Sequence, residues 1–270
     1  MNDDVAKPLV YLIAGAAGSG RREVLADIIA GGIDTGAGER ALVLLAENEA
    51  AGEADARLGG IARWQWHERG GGPEGMDGRI EAEGVNIGGA THVFFVTDGR
   101  RNPVDQIEAF KPWLAAAGGE LARVVCVVNC NLAARHRELV AWYEACIHFS
   151  DMALLAGREG VTNKWVSDFQ ARFKGKFYPC LFEFVKDGRV RNPPLVLEPE
   201  ARRMSHYFDE PDYELAGGGN IEEGVGDDDG PRKRQSDEEI EVVEEVDEYL
   251  ARRAGGRRVK EIPDIAKFLA

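Results

Sequence analysis

Several things are missing from this chain of 270 residues. No apolar run approaches the roughly 18 residues that a membrane-spanning helix requires. The first residues, Met1-Asn-Asp-Asp-Val-Ala-Lys7, are acidic and lack the basic and apolar regions of a secretory signal. The expectation is a soluble, cytoplasmic protein with no membrane partner. Cysteine is scarce. Cys126, Cys130, Cys146 and Cys180 are the only four, none precedes residue 126, and none forms a C-x-x-C pair. That usage excludes a disulfide framework and suits buried thiols in a reducing compartment. Internal repeats are absent as well.

A surplus of positive charge is also lacking, and the formal net charge is −14. The acidity is not spread evenly. Residues 207–250 hold 17 Asp or Glu against 3 Lys or Arg, whereas 251–270 hold 6 basic against 2 acidic. Residues 1–206 are therefore near neutral, with no basic footprint for DNA or RNA. This asymmetry predicts three parts. Residues 1–206 form a folded body. Residues 207–235, rich in Asp, Glu and Gly, form a disordered linker, because they cannot bury enough apolar surface to offset the entropy of ordering. Residues 236–270 form a helical tail. In that tail Ser236 and Glu239 make a capping box, and Ile240, Val243, Val246 and Leu250 share one face. Gly255 and Gly256 end the helix, and a second short helix is expected over 262–269.

What the body does have is an alternation of apolar runs with amphipathic stretches, the pattern of a parallel sheet with crossover helices. Strands are expected at 9–14, 40–46, 92–97, 123–129, 151–156 and 178–185, with a possible extra strand at 61–66 carrying Trp64 and Trp66. Helices are expected at 21–30, 103–116, 132–146 and 163–173, and Gly70 to Gly78 reads as a loop.

The segment Leu9-Val-Tyr-Leu-Ile-Ala-Gly15-Ala-Ala-Gly18-Ser19-Gly20-Arg21-Arg22 carries the most chemistry. It has a buried strand, then Gly15, four residues, Gly20, a basic residue and a helix. That order and spacing are those of a phosphate-binding Walker A loop. Its glycines let successive N–H groups converge on an anion, and the helix N-terminus adds partial positive charge. Arg21 and Arg22 stand where Lys and Ser or Thr are usual, so the hydroxyl that would hold magnesium is missing. Two readings stay open: a residual anion or nucleotide site at Gly15, Gly18, Ser19, Gly20, Arg21 and Arg22, or a structural relic.

Further segments then line up with one family. Phe95-Val-Thr-Asp98-Gly99-Arg-Arg-Asn102-Pro103 resembles I-E-T-S-G-L-A-D-P. Val124-Val-Cys-Val-Val-Asn129 resembles V-V-T-V-V-D, and Ser150-Asp151-Met-Ala-Leu-Leu155-Ala156-Gly157-Arg158-Glu159 resembles the guanine-reading A-D-x-x-L-L-N-K-x-D. Over residues 8–185 the chain is similar to the CobW, HypB and UreG group of P-loop GTPases, and to CobW above the others. The resemblance implies a three-layer α/β P-loop fold with a mostly parallel sheet, and GTP or ATP as ligand. It also implies a part in metal or cofactor maturation. The C-x-C-C metal motif of that family and its second domain are absent here.

Each remaining residue has a plainer reading beside the functional one. Asp98 is the candidate catalytic acid: it could hold magnesium through water, or pair with Arg21. Glu47 invites the same comparison. Glu159 could accept hydrogen bonds from a base edge or be an exposed loop acid; without the Asn and Lys, no strong preference for GTP over ATP is expected. Cys126 and Cys130, four apart on the expected strand, could bind metal or pack the core. Cys146 and His148 near Asp151 present the same choice. Three functions compete: a CobW-like nucleotide-binding protein with weak or absent hydrolysis, an inactive pseudo-GTPase docking a protein partner through residues 236–253 or the tryptophan segment, and another P-loop enzyme such as a small-molecule kinase.

Overall fold

A computed structural model describes residues 6–68, 78–209 and 246–269, to which every structural statement refers. In chain order the elements are β1 (Leu9–Gly15), α1 (Arg21–Gly32), β2 (Ala41–Ala46), β3 (Gly60–Glu68), β4 (Gly78–Glu81) and β5 (His92–Val96). They continue as α2 (Pro103–Ala117), β6 (Glu120–Asn129), α3 (Cys130–Arg135), α4 (Leu139–His148) and β7 (Met152–Ala156). α5 (Asn163–Lys174), β8 (Leu181–Lys186), β9 (Arg189–Val190) and α6 (Pro193–Leu197) complete them. The nine strands form one sheet in the order β4-β3-β2-β5-β1-β6-β7-β8-β9. From β3 to β8 every pairing is parallel, and only the edge strands β4 and β9 run antiparallel.

The strand sequences explain the layering. β1 is buried on both faces, as a central parallel strand must be. Tyr11 and Ile13 point to one side, where α1 and α6 cover them through Val24, Leu25, Ile28, Val196 and Leu197. Val10, Leu12 and Ala14 point to the other, under α2, α4 and α5. The result is a three-layer α/β body. β1 lies where the strand order turns, with β5 and β2 on one side and β6 and β7 on the other. Ligands of open parallel sheets bind at such a switch, beyond the carboxyl ends of the strands.

The expected strand at 61–66 is β3, and Trp64 is core: it packs on Phe95 at 4.9 Å and its indole N–H donates to the Val96 carbonyl at 3.0 Å. The helix expected over 132–146 is instead two, α3 and α4, broken at His136, whose backbone is extended. The first is capped by the Asn129 side chain, which accepts from the Leu132 N–H at 3.0 Å. Cys130 is thus the first residue of α3 and not a strand neighbour of Cys126. Most of the Gly70 to Gly78 loop and of the 207–235 linker lies outside the described residues. Tyr207 and Phe208 belong to the body, because the Tyr207 hydroxyl donates to the Glu108 carbonyl at 3.0 Å and Phe208 meets Phe110 edge-on.

The C-terminal segment corrects an expectation. Residues 236–245 fall outside the described part, and 246–253 form turns and a bridge to Arg258, not a helix. Asp247 accepts from the Tyr249 N–H at 2.9 Å, and Gly255 and Gly256 take left-handed angles. Long-range charge pairing decides the shape. Arg252 and Arg258 both reach Glu108, at 2.6 and 2.7 Å, and Arg258 also binds Asp105 at 2.7 Å. Tyr249 and Ile265 are buried in the body, and Ile265–Phe268 is one short 3-10 helix. The apolar residues 249 and 265 therefore serve the chain's own core, while Val246 stays exposed.

His148 Nε2 meets the Asp247 carboxylate at 2.8 Å, and the Ser205 hydroxyl donates to the same oxygen. Burial alone would raise the Asp247 carboxyl, but the bonds from His148 and Ser205 hold it below its usual value. A depressed carboxylate stabilises the fold above its unfolded pKa and stops doing so as pH falls through the folded one. Asp247→Asn is accordingly expected to lower the melting temperature at pH 5. The gap from wild type should narrow as pH drops below about 4, the range of an unperturbed Asp. Melting curves at stepped pH check this.

Candidate functional site

β1 ends in the glycine loop, and the backbone there dictates glycine. Gly15 has φ +145°, and a Cβ on it would lie 2.6 Å from the Val127 carbonyl oxygen. Gly18 and Gly20 have φ +72° and +78°. Gly99, just beyond β5, lies so close that a Cβ would stand 2.2 Å from the Ala17 nitrogen. The Ala17 N–H donates to the Gly99 carbonyl at 3.0 Å, bracing the loop from the neighbouring strand. Gly20 is the N-cap of α1 and no side chain caps that terminus, so the first turn keeps its unpaired donors and partial positive charge. The Ser19 hydroxyl is buried and has no hydrogen-bond partner.

Arg21 is 4% exposed, yet its guanidinium is fully engaged. It donates to the Thr97 carbonyl and to Glu49 Oε1, the latter at 2.5 Å. Arg22 donates to the other oxygen of the same carboxylate, Oε2, at 2.8 Å, and also to Asp55 at 3.0 Å and to the Ala50 carbonyl at 2.7 Å. For Arg22, burial opposes the charge but the bonds to Glu49 and Asp55 outweigh it and raise its pKa. Glu49 is the partner that sequence reasoning missed. Glu47, favoured there, is exposed, and the turn after β2 brings residue 49 back to the loop. No local signal in the sequence separates the two acids; the turn does.

Asp98 is buried but does not touch Arg21. Its carboxylate accepts from Asn48 at 2.9 Å, from Arg101 at 3.1 Å and from the Arg100 N–H at 3.0 Å. Magnesium, which a P-loop fold implies, does not fit these residues. A guanidinium stands where the coordinating hydroxyl belongs, and Glu49 and Asp98 are both committed to cations or amides already present.

A cavity of about 250 Å³ opens on the other side of the loop. Gly18, Ser19 and Gly20 form one wall, and Asn129, Gly157, Glu159 and the β8–β9 turn form the other. Glu159 lines this space, together with Glu23 and Asp187. Three carboxylates beside the glycine loop lower the local potential and weaken the attraction of any phosphate. A second cavity of about 410 Å³, near Trp66, Arg100 and Arg101, holds none of the loop residues.

The other sequence candidates lie in the core or pair within the body. All four cysteines are buried thiols, and burial pushes Cys126, Cys130 and Cys180 upward. Among the described residues no three His, Cys, Asp or Glu side chains gather to hold a metal ion, and no helix is long and apolar enough to cross a membrane. His148 serves Asp247, and Asp151 accepts from the Val124 N–H at 2.7 Å and from Arg203 at 3.2 Å.

Since Gly99 touches loop backbone, Gly99→Ala must push the loop away. Overpacking of this kind costs about 1–3 kcal/mol. The variant is expected to melt several degrees lower than wild type, whereas Gly89→Ala, at an exposed turn with open space and no positive φ, should lose less.

No family model and no curated protein matches the sequence. Among solved structures, a zinc-bound triple mutant of the YjiA GTPase is similar at 15% identity, covering 73% of this chain and 67% of that one, with a TM-score of 0.45. Zinc-bound YjiA GTPase from E. coli follows at 12% identity over the same shares, with a TM-score of 0.39. A LAO/AO transport system kinase matches at 11% over 66% of this chain and 53% of that one, with a TM-score of 0.36. Strand order and loop geometry define the architecture by themselves: this chain has a three-layer α/β P-loop fold, with the glycine loop at the switch of its parallel sheet.

Proposed function

We propose that the chain binds a nucleoside phosphate at residues 15–22 and hydrolyses it weakly or not at all. One observation carries the binding half. Beside an uncapped helix terminus, at the edge of a cavity, the Ser19 hydroxyl is buried without a partner. A buried orphan of this kind costs about 1–3 kcal/mol, and a bound anion would satisfy it. The cavity leads from the loop toward Glu159, on the side where a base would lie. Ala156 and Gly157 offer no side chain to read that base, so GTP and ATP are both accepted in this reading.

In this reading, weak or absent hydrolysis follows from the side chains. Arg21 is held by Glu49, Arg22 replaces the metal-binding hydroxyl, and Asp98 is tied to Asn48 and Arg101. The same locked triad favours a second reading, a pseudo-GTPase in which the loop is structural and the body serves as an interaction scaffold. A link to metal or cofactor maturation stays an implication of the family resemblance alone.

Thermal shift separates the two readings. About 1 kcal/mol of binding free energy, expected at nucleotide concentrations several times Kd, raises the melting temperature by roughly 2–4 °C. Wild type should show such a shift with millimolar GDP, GTP, ADP or ATP. Ser19→Ala should leave the free protein as stable or slightly more stable, because it deletes an orphan, while reducing the shift. No shift in wild type at any nucleotide would leave the scaffold reading.

A further inference from the structure

We propose that Glu49 sets how many phosphates the loop accepts: its carboxylate holds the place of a terminal phosphate, so the site takes nucleoside diphosphates in preference to triphosphates. This rests on the nucleotide-binding reading and adds the ligand class.

Sidedness is the first argument. Asn129 ends β6, and Gly157 and Glu159 follow β7, so the cavity lies on the β6 side of β1. Glu49 follows β2 and Thr97 follows β5, so the Arg21–Glu49 pair lies on the opposite side. A ligand with its base in the cavity and its phosphates along the loop would point its far end at Glu49. In a Walker A loop the backbone cradles the inner phosphates and the basic side chain after the last glycine reaches the outer ones. That basic side chain is Arg21, and it is already bound.

Chemical equivalence is the second. A carboxylate and a terminal phosphate both present paired oxygens to guanidinium forks. Glu49 gives one oxygen to each arginine, as a terminal phosphate between them would. A third phosphate would have to displace this carboxylate or lie against it, with like charges unscreened in a largely buried site.

The brace behind Glu49 is the third. Arg63 of β3 donates to the Glu49 carbonyl at 2.9 Å and to the Ala46 carbonyl at 3.1 Å. Asp55 holds Arg22 from the far side and accepts from the Gly52 N–H at 3.0 Å. Main chain and both cationic partners are thus fixed independently of any ligand. Displacing the carboxylate would break this arrangement and leave Glu49 without its cations.

Equilibrium binding of GDP, GTP, ADP and ATP to the full chain tests the proposal. Wild type is expected to favour diphosphates by at least about tenfold, and Glu49→Gln, which keeps the shape and removes the charge, to bring the ratio to about threefold or less by tightening triphosphate binding. Glu49→Asp keeps the charge but falls one methylene short of bridging both arginines. It should narrow the ratio as well, and it serves if Glu49→Gln does not fold. Equal affinities in wild type, or a preference unchanged in whichever variants fold, overturn the role of Glu49 while leaving nucleotide binding intact. Binding of no nucleotide by wild type or variants overturns both.

Discussion

One carboxylate shared by two guanidiniums organises the mouth of the glycine loop. Burying Arg21 beneath the strand ends would be prohibitive without a partner, since an unpaired interior charge carries a desolvation penalty of several kcal/mol. Glu49 answers that need and satisfies Arg22 with its other oxygen. Other local features follow from it. The turn after β2 must fold back over the loop, β3 must supply Arg63 to hold that turn, and Asp55 must steady the outer face of Arg22. The loop is then closed on the β2 and β5 side and open on the β6 and β7 side.

The backbone and the side chains of this loop tell different stories, and physics says why they can diverge. Convergent amides and a helix terminus depend on φ and ψ, which glycine at 15, 18 and 20 and the close approach of Gly99 secure. They persist whatever the neighbouring side chains are. The magnesium contact of a Walker A loop uses a Ser or Thr hydroxyl, which the backbone of this loop does not supply. In the proposed reading the chain keeps an anion nest, while Arg22 in place of the metal-binding hydroxyl leaves hydrolysis weak or absent. The carboxylates of Glu23, Glu159 and Asp187 then set the nest in an unwelcoming field, which predicts modest affinity.

What was legible in the sequence was what is local. Apolar runs gave β1, β2, β5, β6 and β7, and Pro103 marked the start of α2; the Asn102 cap, which accepts from the Val104 N–H at 2.9 Å, is seen only in the structure. The glycine spacing located the loop. What was illegible depends on partners far away in the chain. Asp98 was expected to meet Arg21, but Asn48 and Arg101 reach it first. Glu49 looked no different from Glu47 until the turn placed one inward and one outward. The break between α3 and α4 carries no glycine or proline to announce it. The C-terminal pattern of charged and apolar residues read as a helix, yet over 246–253 Glu108 captures Arg252 and Tyr249 fills a space in the core, while Arg258 beyond it binds Glu108 and Asp105.

The central claim is that backbone amides at the end of β1 still form an anion nest. Amide-resolved NMR of the full chain during titration with inorganic pyrophosphate tests it without assuming a base or a metal. The account predicts saturable shifts concentrated at Gly18, Ser19, Gly20 and Arg21, with Glu49 responding as its cations are contested. Shifts confined to the Arg100 and Arg101 cavity, or none at the loop up to saturating pyrophosphate, would contradict it.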